Sequence, residues 1–455
     1  MIRAIDPPDR PAARSTGRRL LAVTLAALAC LSWQALPATA ADTGPVVSRG
    51  VPIPAFYQPP ASLPAADGAL VRTEPLPLAL SLPGLGGRQL PGTATRLMYK
   101  STDAGGGPVA VTGAYIEPAA DWRGPGPRPL VALAPGTMGQ GDQCAASLGL
   151  EKPIRLNGQS VSVGYEDLAV HRLLATGVAV VVTDYAGLGA TDRVHTYVNR
   201  VDGGHALLDA VRAARNLPAA SVTDASPVGL YGYSQGGGAS ASAAELQPAY
   251  APDITLSGTY SGAPPADLAA VIDGIDGSAL AGALGWSVNG FLQTTPELRD
   301  IADRHLNARG KAALNDLSTM CVGDAIFGYG FRESASWTTD GRSLGELVDS
   351  EPLLAATLDD QRIGKLRPAS PVRLATGVRD DIVPHAQSRR LAVDWCALGA
   401  QVTYEPVRLP NLGDGLLTNH LAPLLVDQGD AVDWLTDRLS GRPAGSDCGS
   451  LPSLP

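Results

Sequence analysis

The sequence predicts an α/β fold, with a mostly parallel central sheet covered by helices on both faces and one helical insertion. Three observations carry this prediction. From about residue 96, short apolar runs alternate with helical patterns. Between about 267 and 367 the alternation breaks, and helical patterns (296–307, 344–357) continue without a convincing strand. A Gly-Tyr-Ser-Gln-Gly run stands between a strand pattern and a helix of small residues. Strands of a parallel sheet read as near-continuous apolar runs because both faces are covered, and each parallel pair needs a crossover long enough for a helix.

The 455 residues are long for one domain but within reach of a large α/β unit with an insertion. A chain that is 45% hydrophobic and 17% charged has apolar material for a sizeable core and too little charge for a disordered polyelectrolyte. The formal charge of −9 and a pI near 5.2 exclude the basic footprint of a nucleic-acid-binding protein.

The first 40 residues have the three parts of a secretory signal. Arg3, Arg10, Arg14, Arg18 and Arg19 form a basic lead, residues 20–31 an apolar run, and Ala38-Thr39-Ala40 a small-x-small cleavage site. The run is well short of the roughly 20 residues that span a bilayer. Cleavage is expected after Ala40, with export by the general secretory route or, given Arg18-Arg19, the twin-arginine route. Loss of five Arg and two Asp takes the charge from −9 to −12. No later segment is long and apolar enough to cross a membrane.

Residues 41–95 are Pro-rich and aperiodic, and read as an arm packed on the core. The first part of the core is expected over 96–266, a cap over 267–367, the second part of the core over 368–440, and a tail over 441–455. Segments 98–100 and 109–116 read as antiparallel strands joined at Gly105-Gly106-Gly107. The sheet continues with strands at 130–134, 178–184, 228–231, 255–260, 372–376 and 402–409. Helices are expected at 165–176, 205–216, 237–246, 387–398 and 422–439. An insertion of about 100 residues is most simply a cap over the carboxyl edge of the sheet, where ligands bind in such folds. Its apolar stretch of Leu280, Leu284, Trp286, Val288, Phe291 and Leu292 suits an apolar pocket or, equally, the buried core of the cap.

Gly232-Tyr233-Ser234-Gln235-Gly236 follows the strand at 228–231 and precedes Gly237-Gly238-Ala239-Ser240-Ala241. This is the context of a nucleophile elbow, a turn so sharp that only small residues fit beside the Ser. A Ser hydroxyl needs a His to take its proton and an acid to orient that His. Of the three His downstream, His305 falls in the cap and His385 opens a helix too close to the acid candidates. His420, expected in the loop before the last helix, is the base. Asp380, at the end of the strand at 372–376, is the acid; Asp381 and Asp414 are its rivals. The oxyanion hole is expected to use the backbone N–H of Gln235 and a second donor from the loop 134–144, where Thr137 is favoured by its place after Pro135-Gly136. Residues 184–189 are expected to line the site.

Cys30 leaves with the signal, and Cys144, Cys321, Cys396 and Cys448 remain. An even number in an exported chain implies two disulfides. Three pairings are open; the expected one is Cys144–Cys321 with Cys396–Cys448, the second tying the tail to the helix around Trp395. No zinc-binding spacing, His-x-x-x-His or nucleotide fingerprint stands in the required context, so no metal or cofactor is expected.

Several segments resemble the secretory lipases related to fungal lipase A. They are Phe56-Tyr57-Gln58-Pro59-Pro60, Gly68-Ala69-Leu70-Val71-Arg72, Ala134-Pro135-Gly136-Thr137, Gly141-Asp142-Gln143-Cys144, Thr183-Asp184-Tyr185 with Gly187-Leu188-Gly189, and the elbow. The similarity runs over nearly the whole mature chain and is nearest to actinobacterial secreted lipases. The resemblance implies an α/β-hydrolase with a helical cap, extracellular hydrolysis of triacylglycerols or carboxylesters, and no cofactor. By position it matches Ser234, Asp380 and His420 to the triad, and Asp142 and Gln235 to the oxyanion-hole positions. It also agrees with the cysteine pairing. The second oxyanion donor thus stays open between Thr137 and Asp142. The expected function is a secreted serine lipase or carboxylesterase whose partner is a lipid or small ester, met in solution or at a lipid–water interface. A peptidase or amidase on the same fold and a catalytically degenerate envelope-binding homologue are the alternatives.

Overall fold

The computed structural model describes residues 46–79, 81–83, 89–157, 160–164 and 167–451. The expected signal at 1–40 lies outside the described residues. The main sheet has nine strands: β1 (Leu70–Leu76), β2 (Gly92–Thr102), β3 (Pro108–Pro118), β4 (Leu130–Ala134), β5 (Ala179–Ala186), β6 (Val228–Tyr233), β7 (Leu256–Gly262), β8 (Val372–Gly377) and β9 (Val402–Val407). Their spatial order is β9-β8-β7-β6-β4-β5-β3-β2-β1. All neighbours from β9 to β5 are parallel, and β3, β2 and β1 add an antiparallel edge.

Four helices precede or separate the first parallel strands: α1 (Ala146–Glu151), α2 (Asp167–Ala175), α3 (Arg200–Arg215) and α4 (Gln235–Tyr250). Between β7 and β8 the chain makes α5 (Leu268–Ile275), α6 (Gly282–Thr294), α7 (Arg299–His305), α8 (Ala308–Leu317), α9 (Val322–Tyr329), α10 (Leu344–Ser350) and α11 (Pro352–Asp360). Then α12 (His385–Ala397) and α13 (Thr418–Leu439) flank β9. No helix among the described residues is long and apolar enough to cross a membrane.

Alternate side chains of each strand feed two cores. Leu130, Ala132, Ala179, Val181, Val228 and Leu230 pack with Leu207, Leu208 and Val211 of α3. Val131, Leu133, Val180, Val182 and Tyr231 pack with Leu173 of α2 and Leu435 of α13 on the other face. Both faces are apolar, so the strand sequences show no polar alternation.

Three boundaries depart from the sequence reading. The Pro-rich arm gives the sheet an edge strand, β1, and its Pro75 is tolerated because an edge strand needs only one row of ladder bonds. Helix α3 begins five residues before the expected start at 205, because the Asn199 side chain caps it by accepting from the Val201 and Asp202 N–H groups. Helix α13 begins at Thr418 after Leu417 turns at φ 71°, so His420 lies in a helical first turn and not in the preceding loop.

Candidate active site

Strand β6 delivers Ser234 at its carboxyl end, and α4 starts at the next residue. Ser234 holds φ 57°, ψ −123°, a region that L-residues with a Cβ rarely adopt. The glycines around it leave room for so sharp a turn. A Cβ at Gly232 would lie 2.0 Å from the Gly236 carbonyl oxygen, and one at Gly236 would lie 2.0 Å from that of Ala134. The elbow is therefore pressed against the end of β4, the strand that leads into the expected oxyanion loop.

His420 and Asp380 come from the ends of neighbouring segments. His420 Nε2 lies 2.9 Å from Ser234 Oγ and Nδ1 lies 2.7 Å from Asp380 Oδ2. A carboxylate can only accept, so Nδ1 carries the proton and bare Nε2 faces the hydroxyl. The other Asp380 oxygen accepts from the N–H groups of Ile382 (3.1 Å) and Val383 (2.9 Å), which fixes the carboxylate plane. Tyr233 donates its hydroxyl to the His420 backbone carbonyl at 2.7 Å and so holds the first turn of α13. All three side chains are buried, with Ser234 the most open at 8% exposure.

None of the rivals reaches the relay, although His305 lines the same cavity as Ser234. Asp381 accepts from the Gly415 N–H and so braces the loop ahead of α13; it neither caps a helix nor reaches the ring. Asp414 bonds Asn411 on the surface. His385 sits beside the Tyr404 hydroxyl, and His305 bonds Glu351. Asp184 is fully buried and accepts from the Ser147 N–H and hydroxyl and from the Thr112 hydroxyl. It organises the start of α1 instead of lining the site, as the sequence reading had it.

The two candidate second oxyanion donors separate in space. Thr137 is buried, and its hydroxyl is 2.7 Å from that of Tyr197, which lines the same cavity as Ser234. Asp142 is not among the cavity residues. Burial, and secondarily Asp192, pushes its carboxyl up to about 7.

That cavity is almost wholly apolar. Ser234 and Gln235 stand in its wall, and α5, α6, α7, α10 and α11 supply most of the rest, including Leu268, Val271, Leu284, Phe291, Ile301 and Leu347. The stretch 280–292 is divided: Leu280, Leu284, Val288, Phe291 and Leu292 line the cavity, whereas fully buried Trp286 donates to the Leu317 carbonyl. Residues 144 and 321 are joined by one disulfide and 396 and 448 by another.

Comparison with known proteins then decides the family. The secretory lipase family matches residues 151–447. The chain belongs to that family. This family member is 30% identical, over 85% of its own length and 82% of the other, to a probable inactive lipase of Mycobacterium tuberculosis. It is 25% identical over 86% of its length and 82% of the other to a lipase of Candida albicans. It is also 26% identical to a secreted triacylglycerol lipase of Malassezia restricta, over 67% and 62% of the two chains. Among solved structures, closed Candida antarctica lipase A superposes with a TM-score of 0.72 at 20% identity, covering 87% of this chain and 88% of that one. The cell-wall-degrading esterase LipA of Xanthomonas oryzae gives 0.66 at 19%, covering 84% and 100%. The fold is that of the α/β-hydrolases.

Sequence reasoning missed His195 and Tyr197, which stand in a loop with no periodicity and no catalytic spacing. Their place follows from the strand end they fold back onto.

Proposed function

We propose that this secretory lipase family member is an exported serine carboxylester hydrolase acting on lipid-like acyl esters. The observation that carries the reading is the Ser234–His420–Asp380 relay, at 2.9 and 2.7 Å, in the wall of an apolar cavity. Ser234 Oγ attacks the ester carbonyl carbon as His420 Nε2 takes the hydroxyl proton, and Asp380 stabilises the imidazolium. The carbonyl oxygen becomes an oxyanion, held by the Gln235 N–H and a donor from the loop after β4, of which Thr137 is nearer the cavity. Such a donor contributes about 3–4 kcal/mol. His420 returns the proton to the departing alkoxide, and water repeats the sequence to release the acid. The apolar wall suits the acyl chain, since each buried methylene contributes about 0.8 kcal/mol.

A second reading is an inert homologue, favoured by the name of the Mycobacterium tuberculosis relative. Residues 41–455 and their Ser234→Ala variant separate the two when assayed on p-nitrophenyl esters of rising chain length and labelled with a fluorophosphonate. The first reading expects hydrolysis and labelling that the variant lacks. Equal rates in both proteins, with neither labelled, support the second. A parallel anilide panel detects amidase action. Export is tested on the full chain: the secreted product should begin at Ala41.

A further inference from the structure

Behind the nucleophile lies a second imidazole that the relay does not use. His195 is 2% exposed, and its Nδ1 lies 2.9 Å from the Ala186 carbonyl oxygen. A carbonyl only accepts, so Nδ1 holds the ring proton and Nε2 is bare. The side chain of Gln235, the residue after the nucleophile, places its Nε2 2.9 Å from that bare nitrogen and donates to it. The ring is stacked on Tyr185 at 5.7 Å and meets Tyr197 edge-on at 6.1 Å, so it has little freedom to turn. Burial pushes its pKa down to about 4, which keeps the ring neutral and Nε2 an acceptor.

The same residue also holds the other side of the expected oxyanion hole. Its backbone carbonyl accepts from Gln140 Nε2 at 2.8 Å, in the loop after β4. Gln140 bonds in turn to the Trp286 carbonyl and to Asn289 Nδ2 of α6. One residue thus links the start of α4, the loop after β4 and the helical insertion.

We propose that His195 is a positioning residue. Its neutral imidazole anchors the Gln235 side chain and so aims the backbone N–H next to Ser234, while its carbonyl holds the facing loop. The proposal rests on the reading of Gln235 as an oxyanion donor. Misplacing one such donor by a fraction of its bond length lowers turnover without touching the acyl pocket, so kcat should move and KM should not.

The test compares His195→Leu, which keeps bulk and removes both nitrogens, with His195→Gln, whose amide oxygen can reach the place of Nε2. His195→Leu should lower kcat on p-nitrophenyl butyrate about 10–100-fold with KM within about twofold, and His195→Gln should recover most of it. Gln235→Met should lose as much as His195→Leu, and the double variant no more than either alone. Hydrogen exchange at the amides of residues 235–238 should quicken in His195→Leu and return to normal in His195→Gln. Unchanged kcat and exchange in His195→Leu, or additive losses in the double variant, overturn the proposal. If the parent protein hydrolyses no ester, the function reading fails, and the exchange measurement still decides whether His195 holds the start of α4.

Discussion

Asp380 does two things with one carboxylate. One oxygen is pinned by two backbone N–H groups, and the other receives the imidazole Nδ1–H. An amide in its place can keep the backbone bonds only by turning its NH2 toward Nδ1, which drives the ring proton to Nε2 and leaves no acceptor for the Ser234 hydroxyl. Asp380→Asn is therefore expected to fold normally and to lose about 10³–10⁴-fold in kcat, measured on soluble p-nitrophenyl esters. Asp142 makes a different prediction, about stability. Its folded carboxyl titrates near 7 because burial and Asp192 oppose the charge, against an ordinary value of 3.8. The folded state then binds the extra proton between these values, so this residue's contribution is complete below about 4 and is lost as pH rises through about 7. Asp142→Asn should raise the urea midpoint at pH 8 and leave it unchanged at pH 4.

At this scale the sequence was informative where chemistry and chain order coincide. Ser234 and Asp380 are marked by strand ends, His420 by its place between the last strand and the last helix, and all three by their order along the chain. The structure brings these three into one hydrogen-bonded line. The helical setting of His420 was hidden because it depends on Leu417 adopting φ 71°, which no side-chain pattern announces. His195 was hidden for a similar reason, since its partners are a carbonyl and an amide brought close only by folding.

At the scale of elements, the elbow is a contact between backbones. Gly236 packs on the Ala134 and Pro135 carbonyls, where an added Cβ would stand 2.0 and 2.9 Å from their oxygens. Neither oxygen belongs to a side chain that could swing away. Gly236→Ala should cost about 2–4 kcal/mol in urea denaturation and abolish turnover, whereas Gly445→Ala, with nothing within 4 Å of the new Cβ, should change stability by less than about 0.5 kcal/mol. The α/β alternation was legible because buried strands are short and uniformly apolar. The edge strand β1 was not, because a strand bonded on one side tolerates Pro75 and looks like a loop. The insertion was legible only as helices; which faces form the cavity depends on how α5, α7, α10 and α11 pack together. Ala302 of α7 is a small residue in that wall. Ala302→Trp should fill acyl space and shift the preferred p-nitrophenyl ester toward shorter chains, with kcat/KM for acetate nearly unchanged. An unshifted chain-length profile would place the acyl chain elsewhere.

At the scale of the whole molecule, the two disulfides constrain the same chain in different ways. Cys144–Cys321 closes a separation of 177 residues, and Cys396–Cys448 one of 52. In the chain-entropy account the longer loop stabilises by about 1 kcal/mol more, on a typical base of about 2–4 kcal/mol. Position matters more than length. Around Cys321 the insertion is zipped to the loop after β4: Gln140 N–H donates to the Met320 carbonyl, Val322 N–H to the Met138 carbonyl, and Gln143 Nε2 to the Thr319 carbonyl. This is the loop that carries Thr137 and that Gln140 ties to His195 and α6. The bridge from Cys396 instead secures the tail, with buried Leu451, against Trp395 and Val402 on α12 and β9. Replacing Cys396 and Cys448 by Ala should therefore lower the melting temperature and leave kcat unchanged. Replacing Cys144 and Cys321 should lower both, because the loop after β4 and the helices that wall the apolar cavity then lose their common anchor. Equal kcat for the two double variants, each assayed well below its own melting temperature, would show that the hydrogen bonds from 138–143 to 319–322 hold the loop without the covalent bridge.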